Sequence, residues 1–160
     1  MNESLSPPKG FDKPFFCWLD RMAEALAVQF AAPGRVPEPD LARLEQHIGR
    51  SLPADVRRFY ARYNPWAPLR DWFGWGRTER AVSEAIGATA PLVPIYCHSY
   101  SSQGRDTVAV IHSPERYEVV EWWRPSSTVR WYSDLRSYFI AGVAEELRND
   151  PESGRIVRCS

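Results

Sequence analysis

The residues that could do chemistry in this chain are few and poorly spaced. His47, His98 and His112 are the only histidines, and Cys17, Cys97 and Cys159 the only cysteines. His98 directly follows Cys97. In extended chain, neighbouring side chains point to opposite sides, which suits a thiolate–imidazole dyad badly. An odd number of cysteines without a close pair argues against a disulfide framework. There is no CxxC or HExxH spacing for zinc and no GxSxG elbow for an activated serine. Gly74-Trp75-Gly76 is a lone GxG without the strand–helix setting of a phosphate loop. Glu118 with Glu121, and Glu145 with Glu146, read as solvated surface rather than as acid–base pairs. One enzymatic alternative stays open: a site assembled in space from His98, His112 and Asp106.

The tryptophans carry more information. The chain has seven of them, and two end the stretch Tyr117–Trp123, which reads as a strand. Alternation puts Glu118, Val120 and Trp122 on one face and Val119, Glu121 and Trp123 on the other. Glu118 lies near the strand end and reaches water from either face. Glu121 is central, and burying it would cost a large desolvation energy. The expectation is therefore that Glu121 and Trp123 face outward while Val120 and Trp122 face the core. An exposed Trp beside a carboxylate suits a protein-binding surface. The alternative is a second layer covering that face.

Bulk composition bounds the rest. Apolar residues make up 44% and charged residues 25% of the 160, with a formal net charge of zero. These are ordinary values for a globular domain. Residues 41–80 are Arg-rich and residues 101–150 lean acidic, yet no segment is basic enough for a nucleic-acid footprint. Arg57, Arg58 and Arg62 read as a solvated helix face. No apolar run approaches the ~20 residues of a membrane span, and Met1 opens a polar stretch unlike a signal peptide. A cytoplasmic protein is expected, with no cofactor and no metal.

The elements that must position these residues follow from periodicity. Residues 1–13 read as a flexible arm. A helix from Pro14 carries the stripe Phe15, Leu19, Met22, Ala23, Leu26 and Phe30 and ends at Pro33-Gly34. A second helix carries Leu41, Leu44 and Ile48 and stops at Gly49. A third is capped by Ser51 or Leu52, with Pro53 in its first turn, and buries Val56, Phe59, Tyr60 and Tyr63. Leu69–Trp75 reads as an aromatic strand and Thr78–Ile86 as a short helix. Further strands are expected over Pro91–Tyr96 (at an edge or with a bulge, because of Pro94), Thr107–Ile111, Tyr117–Trp123 and Val129–Tyr132. A closing helix follows Ser133, and residues 151–160 form a polar tail. Helices, then hairpin-spaced strands, then a helix argue α+β, with a mostly antiparallel sheet of four to five strands and helices packed at one face.

Several of these stretches, in this order, resemble the SUKH superfamily. Leu44-Glu45-Gln46-His47-Ile48-Gly49 followed by Leu52-Pro53-Ala54-Asp55-Val56-Arg57-Arg58-Phe59-Tyr60 is similar to the family's opening helix–Gly–Leu-Pro–helix signature. Leu92-Val93-Pro94-Ile95, Gly104–Val110 and Ser133–Phe139 resemble its later strands and closing helix. The likeness spans roughly residues 38–147, within a single domain taken as residues 14–150. One departure is Asn64-Pro65-Trp66, where many members have Asn-Gly-Gly.

The resemblance implies a non-catalytic immunity protein that binds and neutralises a cognate bacterial toxin of an interbacterial toxin system. The same fold also serves as a regulatory or scaffold module, which is the alternative. The family supplies no shared catalytic residues. From the residues themselves, the expected partner surface is the outer sheet face with the flanking loops: Glu121, Trp123, Trp66, Trp75, His98, Tyr100, Arg105 and Asp106.

Overall fold

The computed structural model describes residues 6–66, 72–97 and 104–149. The fold is α+β, with five helices and a four-stranded antiparallel sheet among the described residues. The chain divides into two compact units. One comprises the chain ends, up to Phe30 and from Arg136; the other is Ala31–Leu135.

The first unit holds α1 (Lys13–Leu26) and nearly all of α5 (Leu135–Asn149). Phe15, Leu19, Met22 and Leu26 are buried along α1, as expected, and so are Phe16 and Trp18. Phe11 packs edge-on to Phe16 at 4.9 Å and stacks with Phe139 of α5 at 6.4 Å. Arg136 donates two hydrogen bonds to the Pro8 carbonyl. The helix does not run on to Phe30. Ala27 turns left-handed at φ 53°, and Val28 N–H and Ala27 N–H bond back to the Ala23 and Glu24 carbonyls. That is a Schellman stop made without glycine. Phe30 is buried beyond the helix, with its ring beside Gly142 of α5.

The second unit contains α2 (Glu38–Ile48), α3 (Ala54–Tyr60), α4 (Trp72–Ile86) and the sheet of β1 (Leu92–Cys97), β2 (Arg105–Ile111), β3 (Tyr117–Trp123) and β4 (Thr128–Tyr132). Gly49 takes φ 73° and closes α2 through its N–H to the Glu45 carbonyl. Pro53 is the N-cap residue of α3 rather than its first-turn residue. Residues 32–36 run beside 60–64 through the bonds Gly34 N–H to Arg62, Val36 N–H to Tyr60 and Asn64 N–H to Ala32. Arg50 donates to the carbonyls of Ile111 and His112 at 2.9 and 2.6 Å, and the Tyr60 hydroxyl to that of Pro94 at 2.7 Å. The α2–α3 pair is thereby stapled to the sheet by side-chain bonds as well as apolar burial.

The aromatic strand expected over Leu69–Trp75 is not present where the structure is described: residues 72–75 belong to α4, and 69–71 lie outside the described residues. Trp75, Thr78, Val82 and Ile86 recur at helical spacing, and the first three are buried. That stripe overrides the strand preference of the aromatics. Thr78 is therefore interior to the helix, not its cap. Trp75 and Val82 pack with Leu92, Val108, Val110 and Val120 on one face of the sheet.

The strands run in the order β1-β2-β3-β4, each pair antiparallel. Pro94 lies in an edge strand, and the β1–β2 register shifts between Pro94 and Tyr96. The Tyr117 hydroxyl donates to Asp55 of α3 at 2.6 Å and accepts from Leu135 N–H at 3.0 Å. Burial first, and then the bond to Asp55, push this phenol well above the ordinary tyrosine range.

Two stability outcomes follow. Gly49→Ala should lower the unfolding free energy by about 1 kcal/mol, since nothing lies within 4 Å of the added Cβ and only the backbone resists it; urea denaturation checks this. Tyr117→Phe should cost about 1–3 kcal/mol by removing the acceptor of the Leu135 N–H and one of the donors to the Asp55 carboxylate. The raised phenol stabilises the fold fully below about pH 10 and loses that contribution as pH rises beyond it. The wild type should therefore lose part of its stability advantage over Tyr117→Phe in strong alkali, as read by denaturation at several pH values.

Candidate functional site

The expected partner residues that the structure describes gather mainly at one end of the sheet, where β2 begins and β3 ends. In register, Arg105 lies opposite Trp123, Asp106 opposite Trp122 and Thr107 opposite Glu121. Alternation then sends Arg105, Glu121 and Trp123 to one face and Asp106, Trp122 and Arg124 to the other.

On the first face, Arg105 donates to one Glu121 carboxylate oxygen at 3.2 Å, and the Trp123 indole N–H to the other at 2.9 Å. The Arg105 guanidinium lies 5.2 Å from the Trp123 ring centroid, within cation–π reach. On the second face, Nε and Nη2 of Arg124 both donate to one oxygen of Asp106, at 2.7 and 2.6 Å. The Arg124 guanidinium is 5.9 Å from the Trp122 ring centroid. Each face of the sheet end thus carries the same set: one arginine, one buried carboxylate and one half-buried tryptophan.

The orientation read from sequence is correct in part. Val120 and Trp122 do face the α4 core, and Trp123 points to the other side, half-buried. Glu121, however, is only 2% exposed, and Asp106 is fully buried. The expected outward Glu121 is thus corrected. The desolvation cost that seemed to forbid its burial is offset by a guanidinium and an indole N–H brought from neighbouring positions. The alternative, a covered second face, is the arrangement found, since Val119 and Ala109 beside it are buried too.

The remaining candidates separate. Trp75 is 1% exposed in the α4–sheet core, and Trp66 packs against the same cluster, its ring 5.1 Å from that of Tyr60. Neither presents an open face of the kind expected. His98 and Tyr100 lie outside the described residues. Asp106 and His112 sit at opposite ends of β2, about 20 Å apart at ~3.3 Å per residue. Asp106 is held by Arg124, and His112 Nε2 lies 2.7 Å from Glu118. No acid–base pair is formed between them. Among the described residues there is no cluster able to hold a metal ion, and no helix is long and apolar enough to cross a membrane.

Sequence reasoning missed Arg124, Arg130 and Trp131. Arg130 lies directly opposite Glu121, and Trp131 is half exposed. The signal was present: extending the alternation of Tyr117–Trp123 by one residue places Arg124 with Trp122.

What this constellation can do is hold two indole rings in fixed orientation beside guanidinium groups, a rigid and amphipathic contact surface. Arg105→Leu should cost several kcal/mol, roughly 3–5, because it leaves the Glu121 carboxylate buried without its cation. The double variant Arg105→Leu/Glu121→Leu should recover most of that loss. A double-mutant cycle by urea unfolding measures both, and additive losses would contradict the coupling.

The chain matches no protein-family model, no curated protein and no solved structure.

Proposed function

We infer that this chain is a non-enzymatic immunity protein that binds a cognate toxin of an interbacterial toxin system in the cytosol and occludes its active site. The observation that carries the reading is the order of the SUKH-like motifs together with the elements they occupy. The first motif spans α2, the left-handed Gly49 and α3; the later ones fall on β1, β2 and the start of α5. The tryptophan–arginine end of the sheet supplies a contact surface of suitable chemistry, with Trp122 and Trp123 half-buried and Trp131 half exposed. Aromatic residues and arginine are the side chains that most often anchor protein interfaces.

Co-expression with the product of an adjacent toxin-like gene should give a complex that co-purifies and should restore growth. If neither occurs, the reading fails. Trp123→Ala should weaken the complex roughly tenfold or more while the variant stays folded. Isothermal titration reads the first effect and a thermal melt the second. Glu121→Arg is unsuitable as a surface probe, because it would bury a second cation beside Arg105.

A further inference from the structure

Residues 6–12 form neither helix nor strand, and they are fixed at two points, the Pro8 carbonyl and the Phe11 ring. The carbonyl accepts from Nε of Arg136 at 3.2 Å and from its Nη2 at 2.7 Å. The ring is 8% exposed. It lies 5.3 Å from the Phe15 ring, 4.9 Å edge-on from Phe16 and 6.4 Å from Phe139, nearly parallel to the last at 12°. Lys9 and Gly10, between the two points, are exposed, and Pro7 and Pro8 are half-buried. Two anchors have to offset the ordering of a whole irregular segment, so attachment and release lie close in free energy.

Arg136 is placed for this contact and not for its own helix. It is the second residue of α5, at the positive end of the helix dipole, where a cation is disfavoured. Among the described residues its guanidinium meets no carboxylate. Two of its N–H groups go to one backbone carbonyl, and the guanidinium lies 5.8 Å from the Phe15 ring centroid, within cation–π reach. Polar donors beside an aromatic-lined groove are what domains use to take up extended proline-containing segments. Proline suits such a segment, because it loses little conformational freedom on docking and has no N–H to satisfy.

We propose that Phe15, Phe16, Phe139 and Arg136 form a peptide-binding cradle that the chain's own residues 7–11 occupy in cis. The occupant that displaces them is an extended segment of a partner protein with the same pattern: a proline whose carbonyl meets Arg136, and an aromatic side chain three residues later. The arm is then an autoinhibitory strap, and the fraction of molecules with the strap in place sets how much the partner's apparent affinity is reduced. The cradle uses only residues of the unit formed by the chain ends and does not depend on the partner being a toxin.

The test uses the full chain and a fluorescent, capped peptide of the arm sequence Ser6–Asp12. The Phe11→Ala variant, its own ring withdrawn, should bind the peptide roughly tenfold tighter than the wild type does, as read by fluorescence anisotropy. Replacing the peptide's Phe by Ala, or adding Arg136→Gln to the variant, should each remove most of that binding. A thermal melt shows whether the variant is folded; where it is not, Phe11→Leu, which keeps an apolar side chain, takes its place. Equal binding to wild type and variant, or binding indifferent to the peptide's Phe, would overturn the proposal. So would the unfolding of both variants, since the arm would then be inseparable from the core. Sedimentation showing a wild-type dimer that Phe11→Ala dissociates would overturn it as well, because a second copy would be the occupant. No toxin enters this assay, so its failure leaves the growth-rescue result standing, and the reverse holds equally.

Discussion

A carboxylate in the interior of a sheet must bring its own counter-charge, and much of the sheet end is arranged around that constraint. Glu121 sits on β3, an inner strand flanked by β2 and β4, with buried apolar neighbours along its face. Its two oxygens are met from two directions, by Arg105 of the adjacent strand and by the indole two residues along its own strand. Both donors depend on register. A slip of one residue between β2 and β3 would turn Arg105 to the wrong face and leave the carboxylate stranded. The ion pair therefore contributes little net stability compared with an apolar pair, but it strongly disfavours the wrong register.

The second face repeats the device with the strands exchanged. There the carboxylate, Asp106, comes from β2, and the guanidinium, Arg124, from the residue after β3. Arg124 N–H also bonds to the Gly104 carbonyl, which carries the ladder one step past the strand. Two opposed pairs at one end lock the β2–β3 hairpin more firmly than either alone. At the other end the tie is different in kind: Arg50 caps the carbonyls of Ile111 and His112, while Tyr117 joins the start of α3 to the first residue of α5. The central hairpin is thus fixed at both ends by polar groups and along its middle by Val108, Val110 and Val120 against α4.

This division of labour leaves the periphery for recognition. Tryptophans that meet the α4 core, such as Trp75, are spent on stability. Trp122 and Trp123 are only half-buried, and each has a guanidinium near its ring, Arg124 and Arg105 respectively. Trp131 is half exposed on β4, the last strand in the sheet order among the described residues. The two outer strands differ as well, with proline and a register slip in β1 and an unbroken ladder in β4.

Local rules and short periods were legible in the sequence. They placed the Gly49 stop, the Tyr117–Trp123 strand with Val120 and Trp122 inward, the edge position of Pro94 and the α+β class, because each depends on backbone conformation or on a repeat of two or about four residues. They failed where distant groups decide. Gly74 and Gly76 beside aromatics read as a frayed strand, until the sheet supplied a surface on which Trp75, Thr78 and Val82 could be buried as one helical stripe. The end of α1 at Ala27 gave no sign, since the residue that turns left-handed there is not glycine. Glu121 shows the boundary most clearly. Its desolvation cost was computable in kind from one strand alone, and pointed outward. The groups that offset it lie on β2 and at Trp123, and only the tertiary pairing of strands brings them within hydrogen-bond distance.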